Sequence, residues 1–408
     1  MSRVHRGGRA SLCVLCFLGV FCARPLGITV AAAQEPTSPQ PVSAAQLKTA
    51  IDNLGKLDYA VRANASRVVR RTPVAQAVPA LLQAVAEHAD GYVRYRALVL
   101  LTAFNDPRTR DSMREALASP NDRLRAVAYS FFEHNPDRAL LQQFLTALDK
   151  EQGQFVRPSL VRALAALAVP AGEDSTRVRQ ALLREVARGE DFFRSAVIEA
   201  LGDYKAYYAT KAISGVARLE GPLQDDAALA LGKIGDKSQM ALLAGLQQTA
   251  PRETQPAVAA AICLLGSNCD VHRGYLVKIL AFTDKIPGYQ ELLRGAAAGL
   301  AALAERGDGE ALSALVDAGI PAQDTTRAPI ALALASVAVK APAVMLAAFE
   351  TRTDRTAAVE LLRDGFDMLE EDFAEEGFYV TIRRAYWAAN EGSATRATAQ
   401  EIIQKLEF

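Results

Sequence analysis

The sequence predicts an all-α protein, a solenoid of about nine stacked helical hairpins followed by a C-terminal helical cap. Three observations predict it. Half of the 408 residues are apolar, and Ala and Leu dominate that share over β-branched and aromatic side chains, a bias toward strong helix formers. Apolar residues recur at helical spacing, as in Leu47, Ile51 and Leu54 and again in Val78, Leu81, Leu82 and Val85. Finally, a short pattern returns at a nearly fixed interval, and such a repeat sets the architecture before any local feature does.

The first element, residues 1–33, has no acidic side chain. Arg3, His5, Arg6 and Arg9 precede an apolar run from Ala10 to Cys22, and Ala31-Ala32-Ala33 lies just before Gln34. That is the layout of a secretory signal peptide, and the run falls short of the ~20 residues that span a bilayer. Cys13-x-x-Cys16 sits inside the run and is followed by Phe17 rather than His. It therefore reads as part of the leader, not as a redox or haem motif. The expected location is periplasmic or secreted, in a bacterial protein.

Residues 34–45 open with QEPTSPQP, a polar, Pro-rich tether. Residues 46–340 hold the repeats. An Asp or polar residue followed by an Arg opens the second helix of successive units: Asp58 to Arg62, Asp90 to Arg94, Asn121 to Arg125, Gly153 to Arg157 and Asp191 to Arg194. The Arg-to-Arg steps are 32, 31, 32 and 37 residues. Later units, from Gln224, Gln255, Leu293 and Thr326, keep the helix and lose the Arg pattern. A unit of this length holds two short helices, neither of which buries its apolar stripe alone, so neighbours must stack. The Asp residues fit N-caps, the Arg residues fit bonds to loop carbonyls of adjacent units, and Gly202, Gly232 and Gly266 fit helix C′ positions with positive φ.

Ala227-Ala-Leu-Ala-Leu-Gly-Lys-Ile-Gly-Asp236, with weaker copies at Leu201-Gly202-Asp203 and Leu265-Gly266, resembles the HEAT family, in particular the phycobilisome-lyase-type HEAT-like repeats. The resemblance covers about three quarters of the mature chain and implies a stacked-hairpin fold, commonly a protein-binding scaffold. Residues 341–408 leave the register and read as capping helices. Phe366, Leu369 and Phe373 form their apolar face, and seven acids crowd Asp364 to Glu376. Solenoids need such a polar end.

No nucleotide loop, nucleophile elbow or H-E-x-x-H motif is present in the sequence. A di-iron HEAT-like hydroxylase would carry His-Glu pairs. Here Glu87-His88 and Glu133-His134 stand in the opposite order. The acids near the C-terminus lack calcium-loop spacing. No catalytic residue, cofactor or metal is expected, and the protein reads as a scaffold rather than an enzyme. The alternatives are an accessory lyase or oxidoreductase-like enzyme acting on a protein-bound cofactor, or a purely structural envelope component.

Lys plus Arg and Asp plus Glu balance at 46 each. Removing Arg3, Arg6, Arg9 and Arg24 leaves an acidic excess of four, which does not favour nucleic acid as a partner. The expected partner is another protein. Charge is spread unevenly: residues 56–125 carry five more bases than acids, and residues 342–392 six more acids than bases. Arg67, Arg70 and Arg71 are the candidate site for an acidic partner, and Glu370, Glu371 and Glu375 for a basic one. Head-to-tail self-association of the same surfaces is the further reading. Cys263 and Cys269, the pair remaining after processing, are expected to form a disulfide across the turn at Gly266.

Export predicts a mature chain beginning at Gln34 or within a few residues of it. Intact-mass measurement of the protein from the envelope fraction checks this, and a cytosolic product retaining Met1 contradicts it.

Overall fold

The computed structural model describes residues 40–169, 172–283, 288–369 and 372–408, which belong to one compact unit. The expected leader and most of the tether lie outside the described residues. Among those described there are helices and no strand. The first hairpins are α1 (Ala44–Asn53) with α2 (Tyr59–Arg71), α3 (Val74–Glu87) with α4 (Gly91–Leu101), α5 (Arg108–Ala116) with α6 (Asp122–His134), and α7 (Leu141–Lys150) with α8 (Val156–Ala168). Next come α9 (Glu173–Ala187) with α10 (Asp191–Asp203), α11 (Thr210–Ala217) with α12 (Gln224–Ile234), and α13 (Met240–Thr249) with α14 (Gln255–Leu264). The last are α15 (Cys269–Thr283) with α16 (Gln290–Ala304), α17 (Gly309–Gly319) with α18 (Asp324–Lys340), α19 (Pro342–Glu350) with α20 (Arg355–Phe366), and α21 (Asp372–Ala388) with α22 (Ala394–Lys405).

The repeated residues build the hairpin turn. Asp58, Asp90 and Asn121 cap the second helices, accepting from the amides of Val61, Tyr92 and Arg123 at 3.0, 2.8 and 3.0 Å. The Arg that follows bonds back to the end of the first helix or the loop of its own hairpin, not to the neighbouring unit as expected. Arg62 donates to the Lys56 and Leu57 carbonyls, Arg94 to Val85, Arg125 to Ser119, Arg157 to Leu148 and Glu151, and Arg194 to Val186. A cation there satisfies carbonyls that the helix end leaves unpaired. The neighbour is reached instead through its carboxylates, Arg125 to Glu151 at 2.9 Å and Arg157 to Glu185 at 2.6 Å.

The later units do not drop this device. The Gln224 amide donates to the Ala217 carbonyl at 3.1 Å, and Gln255 donates to Leu246 and Ala250 at 3.2 and 2.8 Å. Arg327 donates to Gly319 and Ile320 at 2.8 and 3.1 Å. A primary amide has the reach to replace a guanidinium where no carboxylate partner is needed.

Each second helix packs on the next, from α2 through to α20. The hairpin α19–α20 rests on α17–α18 in the same way, so the stack runs one hairpin past the expected boundary at Lys340. Gly202 and Gly232 lie inside α10 and α12 rather than at C′ positions with positive φ. They serve close approach: a Cβ on Gly202 would sit 3.0 Å from the Ala230 Cα, and one on Gly232 would overlap the Ala261 backbone. Gly266 does take positive φ, at 83°, and turns the chain between α14 and α15, where Cys263 and Cys269 are joined by a disulfide.

Small side chains also set the curvature. Helix α14 buries Ala257, Ala259, Ala260 and Ala261, and with so little bulk between them α12 and α16 touch across it. Arg306, just after α16, donates to the Lys233 carbonyl of α12 at 2.7 Å. The second helices therefore line the concave side. No single helix among the described residues is long and apolar enough to cross a membrane. The apolar pair α18 and α19 bends by 113° at its break, and its side chains Ile330, Leu334, Met345 and Phe349 are core.

Close packing at Gly232 predicts that Gly232→Ala destabilises the fold by about 1–3 kcal/mol through overpacking. Gly245→Ala, in the exposed interior of α13 with nothing within 4 Å of the added methyl, should stabilise it by about 0.5–1 kcal/mol. Urea unfolding of the two variants beside the parent measures both signs.

Candidate functional site

The concave side holds a groove of about 570 Å³ between α10, α12, α16 and α18. Leu229, Ala298, Ala302, Leu332 and Met368 contribute its apolar wall, and Glu199, Asp226 and Lys340 its polar part. Leu332 and Met368 are 40% and 39% exposed, although both are large and apolar.

Beneath the groove, Asp203 at the end of α10 gathers cations from three other helices. Lys233 lies at 2.8 Å, Arg162 at 3.0 Å and Lys340 at 3.5 Å. Burial works to raise the Asp203 carboxyl, but Lys340, Lys233 and Arg162 outweigh it and hold the group well below the usual carboxylate range. Lys340 also reaches Glu199 at 3.5 Å and Glu305 at 3.6 Å. Burial opposes its charge, the three carboxylates favour it, and the ammonium ends above its ordinary pKa. Asp203 and Lys340 are thus held in their charged forms and are poor acids or bases at neutral pH. Asp226 differs: burial, with repulsion from Asp225 and Glu199 and despite a hydrogen bond from Ser195, pushes it up to about 6.

The residues weighed for metal chemistry do not converge. Glu133 is buried, 2.9 Å from Arg162 and 3.0 Å from the Tyr204 hydroxyl, while His134 lies against Phe373 with ring centroids 5.3 Å apart. His88 faces Asp52 at 3.4 Å. Cys263, Cys269 and Asp308 do bring ligand atoms within 4.8 Å of one another. In the disulfide-bonded form both thiolates are consumed, and Arg273 holds Asp308 at 2.8 Å.

The two regions of opposite charge meet within the chain. Helix α21 crosses from α18 to α4 and α6, and Arg70 of α2 forms a bidentate pair with Glu376. Arg70 Nε lies 2.9 Å from Oε1 and Nη2 2.6 Å from Oε2. The two residues are 5% and 1% exposed, and the guanidinium lies over the Tyr379 ring at 5.0 Å. Arg67 pairs with Glu407 at 3.2 Å, and Tyr95 and Arg96 of α4 both hold Asp372.

The expectation of Arg70 as an open docking residue is thus corrected, because its charge is spent on an internal partner 306 positions away. Arg67 is partly spent in the same way. Arg71 is half-buried, and its carbonyl accepts from the Gln40 amide at 3.2 Å. Glu370 and Glu371 lie outside the described residues. Glu375 is half-buried in the same contact. Burial, reinforced by Asp372, pushes its carboxyl up to about 8 even with Arg96 and Arg70 nearby. Glu376, the partner of Arg70, was not singled out by sequence; the opposite charge excess of the two regions was the available signal.

The fold is an α-solenoid of HEAT-like repeats. Residues 47–133 match the family model of HEAT repeats. A comparison with curated protein sequences finds no match. Among solved structures, the CpcE–CpcF complex of phycocyanin lyase from Nostoc sp. PCC7120 is similar at 20% identity and a TM-score of 0.41, over 65% of this chain and 97% of that one. The Escherichia coli protein YibA aligns at 15% identity and a TM-score of 0.39, over 55% and 83% of the two chains. The karyopherin Kap121p, bound to the extreme C-terminus of the phosphatase Cdc14p, aligns at 13% and 0.40, over 89% of this chain and 46% of its own.

Glu375 makes stability depend on pH. Its folded pKa of about 8 exceeds the ordinary 4.5, so between these values the folded chain keeps a proton that the unfolded chain has released. Stability from this group is full below pH 4.5, falls as pH rises toward 8, and is lost above. Glu375→Gln should remove that fall and leave the variant more stable than the parent at pH 8.5, on the order of 1 kcal/mol given the partial exposure. Urea unfolding from pH 5 to 9 tests it.

Proposed function

We propose that the mature chain acts outside the cytoplasm as a non-catalytic scaffold that holds another protein in the groove between α10, α12, α16 and α18. The observation that carries this reading is the exposure of Leu332 and Met368 on a concave apolar wall. Large apolar side chains in a concave setting favour a ligand that covers them. The ion pairs around Asp203 hold the wall in place, and a preformed surface loses little entropy on binding. The leader-like N-terminus and the Cys263–Cys269 disulfide support an oxidising compartment.

The enzymatic alternative would rest on Asp226, which titrates near 6 beside the groove, the range suited to a general acid or base. Asp226→Asn discriminates: a scaffold keeps its partner, whereas an enzyme loses turnover of the substrate it has bound.

Site-specific photo-crosslinking in cells tests the scaffold reading. A photoreactive residue at position 332 should give a discrete crosslinked partner in the envelope fraction, whereas one at the exposed position 115 of α5 should not. Crosslinks from 115 alone, or recovery of the protein in the cytosol, would overturn the proposal. Leu332→Glu should reduce partner capture at least tenfold, about the 1.4 kcal/mol that one buried apolar anchor contributes.

A further inference from the structure

Among the described residues, the buried apolar side chains form two hydrophobic cores. One runs from Leu47 to Leu265 and the other from Ala259 to Phe408, and they overlap in sequence at α14. Apart from α14 and the contact of Lys340 with Asp203 and Glu199, the halves also meet at the face of α2, α4 and α6 under α21, and the chemistry there differs from that of the cores. Arg70 pairs with Glu376, Arg67 with Glu407, and Arg96 and Tyr95 with Asp372. Phe373 is the apolar side chain that α21 lends to the first core, and it is only partly buried there. Phe378, Tyr379 and Tyr386 of the C-terminal hairpin pack in the second core, where Phe378 lies 4.9 Å from Phe366 and Tyr379 stacks on Phe408 at 4.1 Å while its ring also meets Arg70. Among the described residues, parting α21 from α2 and α4 would take from the first core the partly buried Phe373 and leave the packing of α21 in the second core as it is.

We propose that this seam is a reversible clasp in which α21 acts as an internal ligand. The surface beneath it on α2 and α4 is then a docking site for an acidic, aromatic-bearing helix of a partner protein. Three features argue for it. Charge pairs give less net stability than apolar packing of equal size, yet breaking one without replacement is costly, so release is favoured only when a ligand supplies the same groups. Asp372, Glu376 and Tyr379 stand at i, i+4 and i+7, one stripe of a helix, and therefore specify what a competitor must present. The released surface carries Arg67, Arg70 and Arg96 within a region already rich in bases, which steers an acidic helix toward it. This goes beyond the groove and stands without it.

A fluorescein-labelled peptide of residues 372–388 is the probe, titrated into the full mature chain at low salt. The parent should bind it weakly because α21 occupies the site. The double variant Asp372→Asn with Glu376→Gln, which weakens the internal ligand, should bind at least tenfold more tightly, and adding Arg70→Glu should abolish that gain. Glu407→Lys, at the exposed rim of the seam, is a milder loosening and should raise affinity severalfold with little risk to folding. The proposal is overturned if loosened variants of native helix content bind the peptide no better than the parent. It is equally overturned if Arg70→Glu leaves the binding unchanged.

Discussion

The pair between Arg70 and Glu376 ties together residues 306 positions apart. In a solenoid nearly every contact is made between neighbouring hairpins, so curvature accumulates and nothing local limits it. A buried guanidinium and carboxylate in bidentate contact supply such a limit. Removing one partner leaves the other charged and without water, at about 3–5 kcal/mol, so the curvature is held to the value that lets both ends meet. Tyr379 under the guanidinium, and Asp372 with Arg96, fix the direction of approach as well as the distance.

The concave network beneath the groove enforces the same curvature from inside. Asp203 draws Arg162 from α8, Lys233 from α12 and Lys340 from α18, and these helices belong to the fourth, sixth and ninth hairpins. Such contacts require the stack to have turned sharply between them, and the small residues of α14 permit that turn. Ala-rich packing, Asp203 and the Arg70 seam are thus one mechanical arrangement. The first lets the chain curl, the second gathers the inner wall, and the third closes the circuit.

Much of this was legible in the sequence, and the reasons differ by residue. The period and the N-caps were visible because Asp58, Asp90 and Asn121 act on amides two or three positions away. The role of the Arg after them was read in the wrong direction, since sequence spacing does not say which unit supplies the carbonyl. Gln224 and Gln255 were passed over because their function depends on reach and not on charge. Gly202 and Gly232 looked like helix ends because glycine serves both positive φ and close approach; only the position of Ala230 and Ala261 distinguishes the two. The groove was hidden for another reason. Leu229, Leu332 and Ala298 follow the same helical spacing as the core, and exposure there depends on how far the stack has curved.

The opposite charges of the two regions were also legible, but the sequence left open whether they pair within one chain or between copies. Physical chemistry decides it once the geometry is known. The seam joins parts of one folded unit, so Arg70 meets Glu376 at an effective concentration on the order of millimolar or above. A second copy would have to exceed that concentration to displace it. An apolar seam between complementary ends would carry the hazard of open-ended assembly, because any momentarily open molecule exposes a sticky face. A seam of ion pairs lessens this: its open form presents charged surfaces that water solvates well, and exposed ion pairs between copies are weak and screened by salt. Using charges at this long-range contact therefore lets the solenoid stay closed on itself while its open form stays hydrated.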